Sequence, residues 1–226
     1  MAGVQTVWVT RAHPGADRTA ERLTAQGLTP MIVPLLTLRP LNVRPILNGI
    51  EALAFTSRNG VAAFAEGSPI PALPVFAVGD ATAVAARDAG FTDVRSAGGD
   101  LHALAALIRA EATGLSILHP AAAEPAGDLA ALVGDAARIE TLAVYEARET
   151  GAAPPETWDA VMIHSPRAAR ALSAGLLFAP GDRIAITISP AAAEPLASLG
   201  FAEIRVASAP TETSLLAALG KPQVSV

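Results

Sequence analysis

The chain has 226 residues, 51% apolar, 16% charged and 4% aromatic, which is material for one large core or two smaller ones built mainly from Ala, Val, Leu and Ile. A formal charge of −5 argues against a nucleic-acid partner, and the absence of cysteine excludes disulfides, thiol nucleophiles and zinc–thiolate sites. The four histidines, His13, His102, His119 and His164, never fall at metal-ligand spacing, and with a mean hydropathy of +0.41 every long apolar stretch is still broken before the roughly 18 residues a membrane span needs. Residues Met1–Arg11 carry neither a basic nor an apolar leader pattern, so a cytoplasmic protein with no membrane and no metal is expected.

Short apolar runs alternate with Ala-rich stretches, the pattern of an α/β protein with parallel strands. The first strand is expected over Val4–Thr10. Pro14 suits the first turn of the helix that follows, and Gly27 its C′ position. A second strand follows at Thr29–Pro34. Leu53–Thr56 reads as a buried strand, after which Ser57–Gly60 opens a helix carrying Val61, Ala62 and Phe64. Val75–Val78 is a further strand, Asp80 is placed to cap a helix over Ala81–Ala89, and Gly90 ends it. Asp100 caps a helix whose apolar positions Leu101, Leu104, Ala105 and Ile108 have helical spacing.

The pattern then recurs. Leu53–Gly60 has a partner in Val161–Ala168, Val75–Asp80 in Ala185–Pro190, and Gly90–Arg95 returns 110 residues later as Gly200–Arg205. Thr211–Leu219, ended by Gly220, answers the helix after Asp100, and Val7–Thr37 resembles Leu115–Tyr145. Such a period is too long for a solenoid and suits two similar α/β domains. The extended segments Leu35–Pro40 and Val144–Thr150 could cross as a two-stranded bridge, each domain then taking parts from both ends of the chain; two sequential domains broken near residue 113 are the alternative.

Six strand ends lead into helix starts: Thr10-Arg11, Ser57-Arg58, Gly79-Asp80, His119-Pro120, Ser165-Pro166 and Ser189-Pro190. Ligands of open parallel sheets bind beyond the carboxyl ends of strands, where free N–H groups and helix dipoles favour anions. Taken singly, Ser165 and Ser189 read first as plain N-caps before a proline, and it is the set of six that favours an anion site. His119 and His164 suit either acid–base work or a boundary position. Tyr145, the only tyrosine, lies on the supposed bridge, where it either packs or donates a proton. No P-loop, G-x-S-x-G or G-x-G-x-x-G occurs.

Taken in order, Val9-Thr-Arg11, Ile32-Val-Pro34, Phe55-Thr-Ser57, Val78-Gly-Asp-Ala-Thr82, Val144-Tyr145, Ile163-His-Ser-Pro166 and Ala209–Leu215 resemble the uroporphyrinogen-III synthase family. The resemblance implies two similar parallel-sheet, flavodoxin-like α/β domains joined by a two-stranded antiparallel linker. It selects the interleaved wiring: residues 1–35 with 150–226 in one domain, 36–149 in the other, and linker strands near 35–40 and 144–150. It also implies a cofactor-independent enzyme, with the cleft between domains as its site, that closes linear hydroxymethylbilane to uroporphyrinogen III. Water is lost and ring D inverted through a spiro intermediate.

Tyr145 is then the candidate proton donor. Arg11, Thr56, Ser57, Arg58, Gly79, Asp80, Ala81, Thr82, His119, Ser165, Arg167 and Ser189 are the candidate substrate contacts. Thr82 matches the threonine of the family's Val-Gly-x-Ala-Thr motif, whereas Ser189-Pro-Ala-Ala192 stands where many members carry Gly-Pro-Thr-Thr. The implied partners are the tetrapyrrole and a hydroxymethylbilane synthase that hands it over, with the chain acting as a monomer. A non-catalytic, hinged binding protein for a small anion is the competing expectation.

Overall fold

A computed structural model describes residues 4–67 and 69–220. In chain order the first elements are β1 (Thr6–Val9), α1 (Gly15–Ala25), β2 (Thr29–Ile32), β3 (Leu36–Pro40), β4 (Ala52–Phe55), α2 (Arg58–Gly67), β5 (Val75–Ala77), α3 (Asp80–Asp88), β6 (Val94–Ser96) and α4 (Leu101–Glu111). There follow β7 (Ser116–Ala122), α5 (Leu129–Val133), β8 (Arg138–Glu149), β9 (Ala160–Ile163), α6 (Pro166–Gly175), β10 (Gly181–Thr187), α7 (Pro190–Ala193), β11 (Phe201–Val206) and α8 (Glu212–Leu219). The described residues form two compact units. One comprises the chain up to Leu38 together with residues from Arg148 onward, and the other is Arg39–Ala147.

The first unit is built on a sheet of order β11-β10-β9-β1-β2 in which every pair is parallel. Strands covered on both faces need apolar side chains at every position, and Val7, Trp8 and Val9 are all fully buried. Their alternation sorts two cores. Val7 and Val9 meet Leu23 of α1 and Leu215, Leu216 and Leu219 of α8, whereas Trp8 packs with Trp158, Leu172 of α6 and Ala192 of α7. Trp8 and Trp158 lie edge to face with ring centroids 5.4 Å apart.

The second unit has the order β3-β8-β7-β4-β5-β6, with β8 through β6 parallel. Ala52, Ala54 and Ile117 face α4 and α5 through Leu104, Ile108 and Leu129. Leu53, Phe55 and Leu118 face α2 and α3 through Val61, Phe64 and Ala86. If β7 is counted as its first strand, this unit repeats the strand order of the other, second-first-third-fourth-fifth, so the 110-residue period of the sequence is a period of the fold. In that order the connections reverse direction between the first and third strands, β1 and β9 in one unit and β7 and β4 in the other. A crevice for a ligand opens at such a point.

Leu36–Pro40 and the end of β8 run side by side. Leu41 N donates to Val144 O (2.9 Å) and Thr150 N to Leu35 O (3.0 Å), an antiparallel register. Three expectations are corrected. Val144–Thr150 is not a separate extended segment, because the single twelve-residue strand β8, Arg138–Glu149, runs through most of it. His119-Pro120 does not end a strand or open a helix, because β7 continues to Ala122. β4 pairs with β7 only as far as Leu118, so beyond it the proline lies where that side of β7 has no ladder to break. Asp80 does not cap α3. Extended Gly79 takes the N-cap position, and the Asp80 carboxylate instead accepts from Ser96 Oγ at 2.7 Å. Asp100, Ser165 and Thr211 do cap their helices, each accepting from backbone N–H groups of the first turn. Among the described residues no helix is long and apolar enough to cross a membrane.

Phe55 stacks edge to face on Phe64 (5.8 Å) and Phe91 (5.7 Å) at the centre of the second core. Phe55→Ala is expected to cost roughly 3–5 kcal/mol. Urea unfolding would show it, and a loss under about 1 kcal/mol would mean the ring trio is not central to that core.

Candidate active site

In the second unit candidate residues gather where β4 ends, beside the second half of β7 and the middle of β8. Ser57 is the hinge of the group: its Oγ accepts from Gly60 N at 3.0 Å, fixing the first turn of α2, and lies 3.1 Å from Tyr145 Oη. Gly60 allows the close approach. A Cβ there would stand 2.7 Å from Pro120 O, so any larger residue would push α2 away from β7.

Tyr145 reaches Ser57 because β8 carries one extra residue. Ala121 pairs with Ala143 but Ala122 with Tyr145, leaving Val144 in the bulge. Cross-strand partners share a face, so Ala143 follows Ala121 to the α4–α5 side and Tyr145 follows Ala122 to the α2 side. Strict alternation from Thr141 would have put the phenol on the opposite face, with His119.

That opposite face holds a hydrogen-bonded row. Thr56 Oγ1 is 3.0 Å from His119 Nε2, and Thr141 Oγ1 is 3.4 Å from His119 Nδ1. His119 is 1% exposed, and burial pushes its imidazole down to about 4. The ring is therefore neutral at pH 7, one nitrogen donating to a threonine and the other accepting. His119 and Thr141 also border an open pocket of about 460 Å³ lined by residues 125–129. Arg58 stands at the start of α2. Gly79, Asp80, Ala81 and Thr82 belong to the turn after β5; Asp80 and Ala81 are exposed, whereas Thr82 is buried.

The first unit presents a charged cluster at its own β1–β9 switch. Arg11 Nη1 meets Glu212 Oε2 at 2.7 Å, Thr19 Oγ1 donates to Glu212 Oε1 at 2.5 Å, and His164 Nε2 lies 3.2 Å from Glu212 Oε2. Gly15 leaves room for this, since a Cβ there would come within 2.5 Å of the guanidinium. Burial pulls the Glu212 carboxyl upward, but hydrogen bonds from His164 and Thr19 and the charge of Arg11 outweigh it and hold the group at about 2. His164 is lowered by burial. Its Nδ1 is buried without a partner, and Nε2, facing a carboxylate, carries the proton. Ser165 is occupied as the cap of α6, with Arg167 in the same first turn, and Ser189 precedes α7 without a side-chain cap bond.

A sequence model of the family described as uroporphyrinogen-III synthase HemD matches residues 17–217. The chain belongs to the uroporphyrinogen-III synthase family. It is an enzyme of tetrapyrrole synthesis, and the family acts on a tetrapyrrole substrate. No curated protein matches the chain. Among solved structures it is similar to uroporphyrinogen-III synthetase from Helicobacter pylori, over 96% of this chain and 97% of that one, at 21% identity and a TM-score of 0.67. It is also similar to a mutant uroporphyrinogen III synthase from Thermus thermophilus, over 94% and 96%, at 17% identity and a TM-score of 0.54. At those identities the likeness carries the two-domain α/β fold.

Within this synthase-family chain, sequence reasoning missed Glu212, Thr19, Gly60 and Thr141. Glu212 had one local signal, a lone carboxylate in the first turn of a helix with no other charged residue. Its partner Arg11 lies 201 residues away. Among the described residues no group of three or more His, Cys, Asp and Glu could hold a metal ion.

His119 gives a pH prediction. Its folded-state value lies below the ordinary 6.5, so the unfolded chain takes up the proton first; stability falls as pH drops below 6.5, and the loss is complete near 4. His119→Asn is expected to make that slope shallower by about 1.4 kcal/mol per pH unit mid-window. Denaturant unfolding between pH 7 and 4 checks this, and equal slopes would show that His119 is not held neutral.

Proposed function

We propose that this chain closes linear hydroxymethylbilane to uroporphyrinogen III, acting as a hydro-lyase without a cofactor. The observation that carries the reading is the chain's single phenol, turned by a strand bulge onto Ser57 at the carboxyl ends of β4 and β7, in a chain of the synthase family.

The ring A hydroxymethyl group must lose its hydroxyl. Tyr145 Oη gives a proton to that oxygen, the C–O bond breaks, and water departs. The pyrrole nitrogen's electron pair fills the gap, leaving a cationic, N-protonated azafulvene. Ring D then attacks the exocyclic methylene through its substituted carbon, forming the spiro intermediate; the bond from that carbon to the ring C methylene breaks, and ring D re-closes onto the same methylene through its unsubstituted α-carbon, now inverted. The proton that ring D sheds on regaining its aromatic pyrrole balances the one Tyr145 supplied. Because the azafulvene stabilises itself, most of the protein's work is orientation.

Strand-end groups are suited to holding a polycarboxylate. The first turns of α2, α3 and α6 present backbone N–H groups near Ser57, Arg58, Gly79, Asp80, Ala81, Thr82, Ser165 and Arg167. Arg11 is met by Glu212 within its own unit, so it acts through the remaining guanidinium donors rather than as an unbalanced charge. Ser189 supplies a hydroxyl where Ala191 and Ala192 offer none. Thr56 and His119 shape the neutral wall behind Ser57. Family membership weighs against a non-catalytic binding protein.

Incubation with enzymatically generated hydroxymethylbilane, followed by oxidation and separation of porphyrin isomers, is expected to yield isomer III. Isomer I at the spontaneous level alone would sink the assignment. Tyr145→Phe is expected to lower kcat by about 10²–10⁴, the usual range for a lost general acid, with folding intact. A fully active variant would remove the phenol from the chemistry.

A further inference from the structure

Ser57 was expected to touch substrate, yet the structure gives its hydroxyl two protein partners, Gly60 N and Tyr145 Oη. A serine hydroxyl has one hydrogen and two lone pairs. One lone pair is taken by the Gly60 N–H. The direction of the second bond then decides what the phenol can do. If Tyr145 donated to Ser57, the phenol hydrogen would be spent inside the protein.

We propose that Ser57 is a positioning residue whose hydroxyl donates to Tyr145 Oη, leaving the phenol hydrogen free for the departing hydroxyl of the substrate. The inference rests on the proton-donor reading of Tyr145 and deepens it. An O–H whose oxygen already accepts a hydrogen bond is polarised into a better donor, and here the accepted bond comes from the first turn of α2. The β8 bulge supplies the other half of the geometry by placing the phenol on the α2 side of the sheet, the side on which Ser57 leaves β4. When the proton passes from Tyr145 Oη to the leaving oxygen, the Ser57 hydrogen stays where it is. It then bonds a phenolate, and a hydrogen bond to an ionised acceptor is about twice as strong as a neutral one. The bond is therefore worth more after proton transfer than before it, which is the requirement for accelerating the step.

Because Tyr145 is the only tyrosine in the chain, its Raman Fermi doublet can be read without overlap from other phenols. The intensity ratio distinguishes a phenol that accepts a hydrogen bond from one that donates it. In the unsubstituted protein the ratio is expected to report an accepting phenol, in Ser57→Ala to move away from that value, and in Ser57→Thr to return. Over the same series kcat is expected to fall about tenfold in Ser57→Ala with KM changed less than about twofold, and to recover in Ser57→Thr. Since alanine also removes the acceptor for Gly60 N–H, Ser57→Asp is the second variant. It keeps an acceptor at the helix start but donates nothing, so it should lose rate as alanine does.

A donating phenol in the unsubstituted protein, an unmoved ratio in Ser57→Ala, or full rate in Ser57→Asp would overturn the inference. In a Tyr145→Phe background Ser57→Ala should cost no further rate, and an independent tenfold loss there would also overturn it. If Tyr145→Phe is itself fully active, the proton-donor reading fails and the role assigned to Ser57 in catalysis fails with it. A rate loss in Tyr145→Phe with none in Ser57→Ala would overturn the Ser57 role alone.

Discussion

One residue too many in β8 decides how the second unit is equipped. Val144 has no counterpart on β7, so the side-chain alternation inverts between Ala143 and Tyr145. The bulge is pinned from both neighbouring strands: Val144 O accepts from Leu41 N, and Tyr145 O accepts from Ala123 N at 2.8 Å. The Val144 side chain is 3% exposed, which anchors the register by apolar burial as well as by backbone bonding. Without that inversion the phenol would join Thr141 and His119 on the α4–α5 side. With it, an aromatic hydroxyl and an imidazole occupy opposite faces of the same strand ends, each with its own hydroxyl partner.

The two units share a strand order but not an electrostatic character. At the β1–β9 switch the cluster is ionic, with Arg11 and Glu212 paired and His164 against the carboxylate. At the β7–β4 switch it is neutral, made of two threonines, a serine, an imidazole held near 4 and a phenol. Glu212 stays ionised down to about pH 2, so Arg11 carries its counter-charge through any physiological range. The duplicated fold therefore supplies the same crevice twice and furnishes it with different chemistry, as expected when function resides in side chains grafted on a common frame.

Much of this was legible in the sequence because it is local. Continuous apolar runs such as Leu53–Phe55 and Val161–Ile163 announce strands buried on both faces, and Asp100, Ser165 and Thr211 announce the helices they cap. What was not legible depends on partners far along the chain. His119-Pro120 looks like a strand end until it is known that β4 stops pairing at Leu118, and Asp80 looks like a cap until Ser96 is seen beside it. Glu212 gains meaning only from Arg11, Thr19 and His164, and the bulge is a property of the β7–β8 pair that neither strand encodes alone. Tyr145 was visible as the single tyrosine, but the face it occupies was not.

The net charge of −5 gives the chain no overall attraction for an anion. A broad basic surface would attract any polyanion, and long-range steering of that kind is screened within about 10 Å at ordinary salt. Local donors behave differently. Backbone N–H groups at the starts of α2, α3 and α6 carry only partial charges, which fall off within a turn, so they favour an anion that is already seated. Within the second unit the buried neutral imidazole of His119 adds no cation and holds Thr56 on the sheet face opposite Ser57. Arg11 at the β1–β9 switch is already paired with Glu212, so that unit presents hydrogen-bond donors in a fixed arrangement rather than an unbalanced charge.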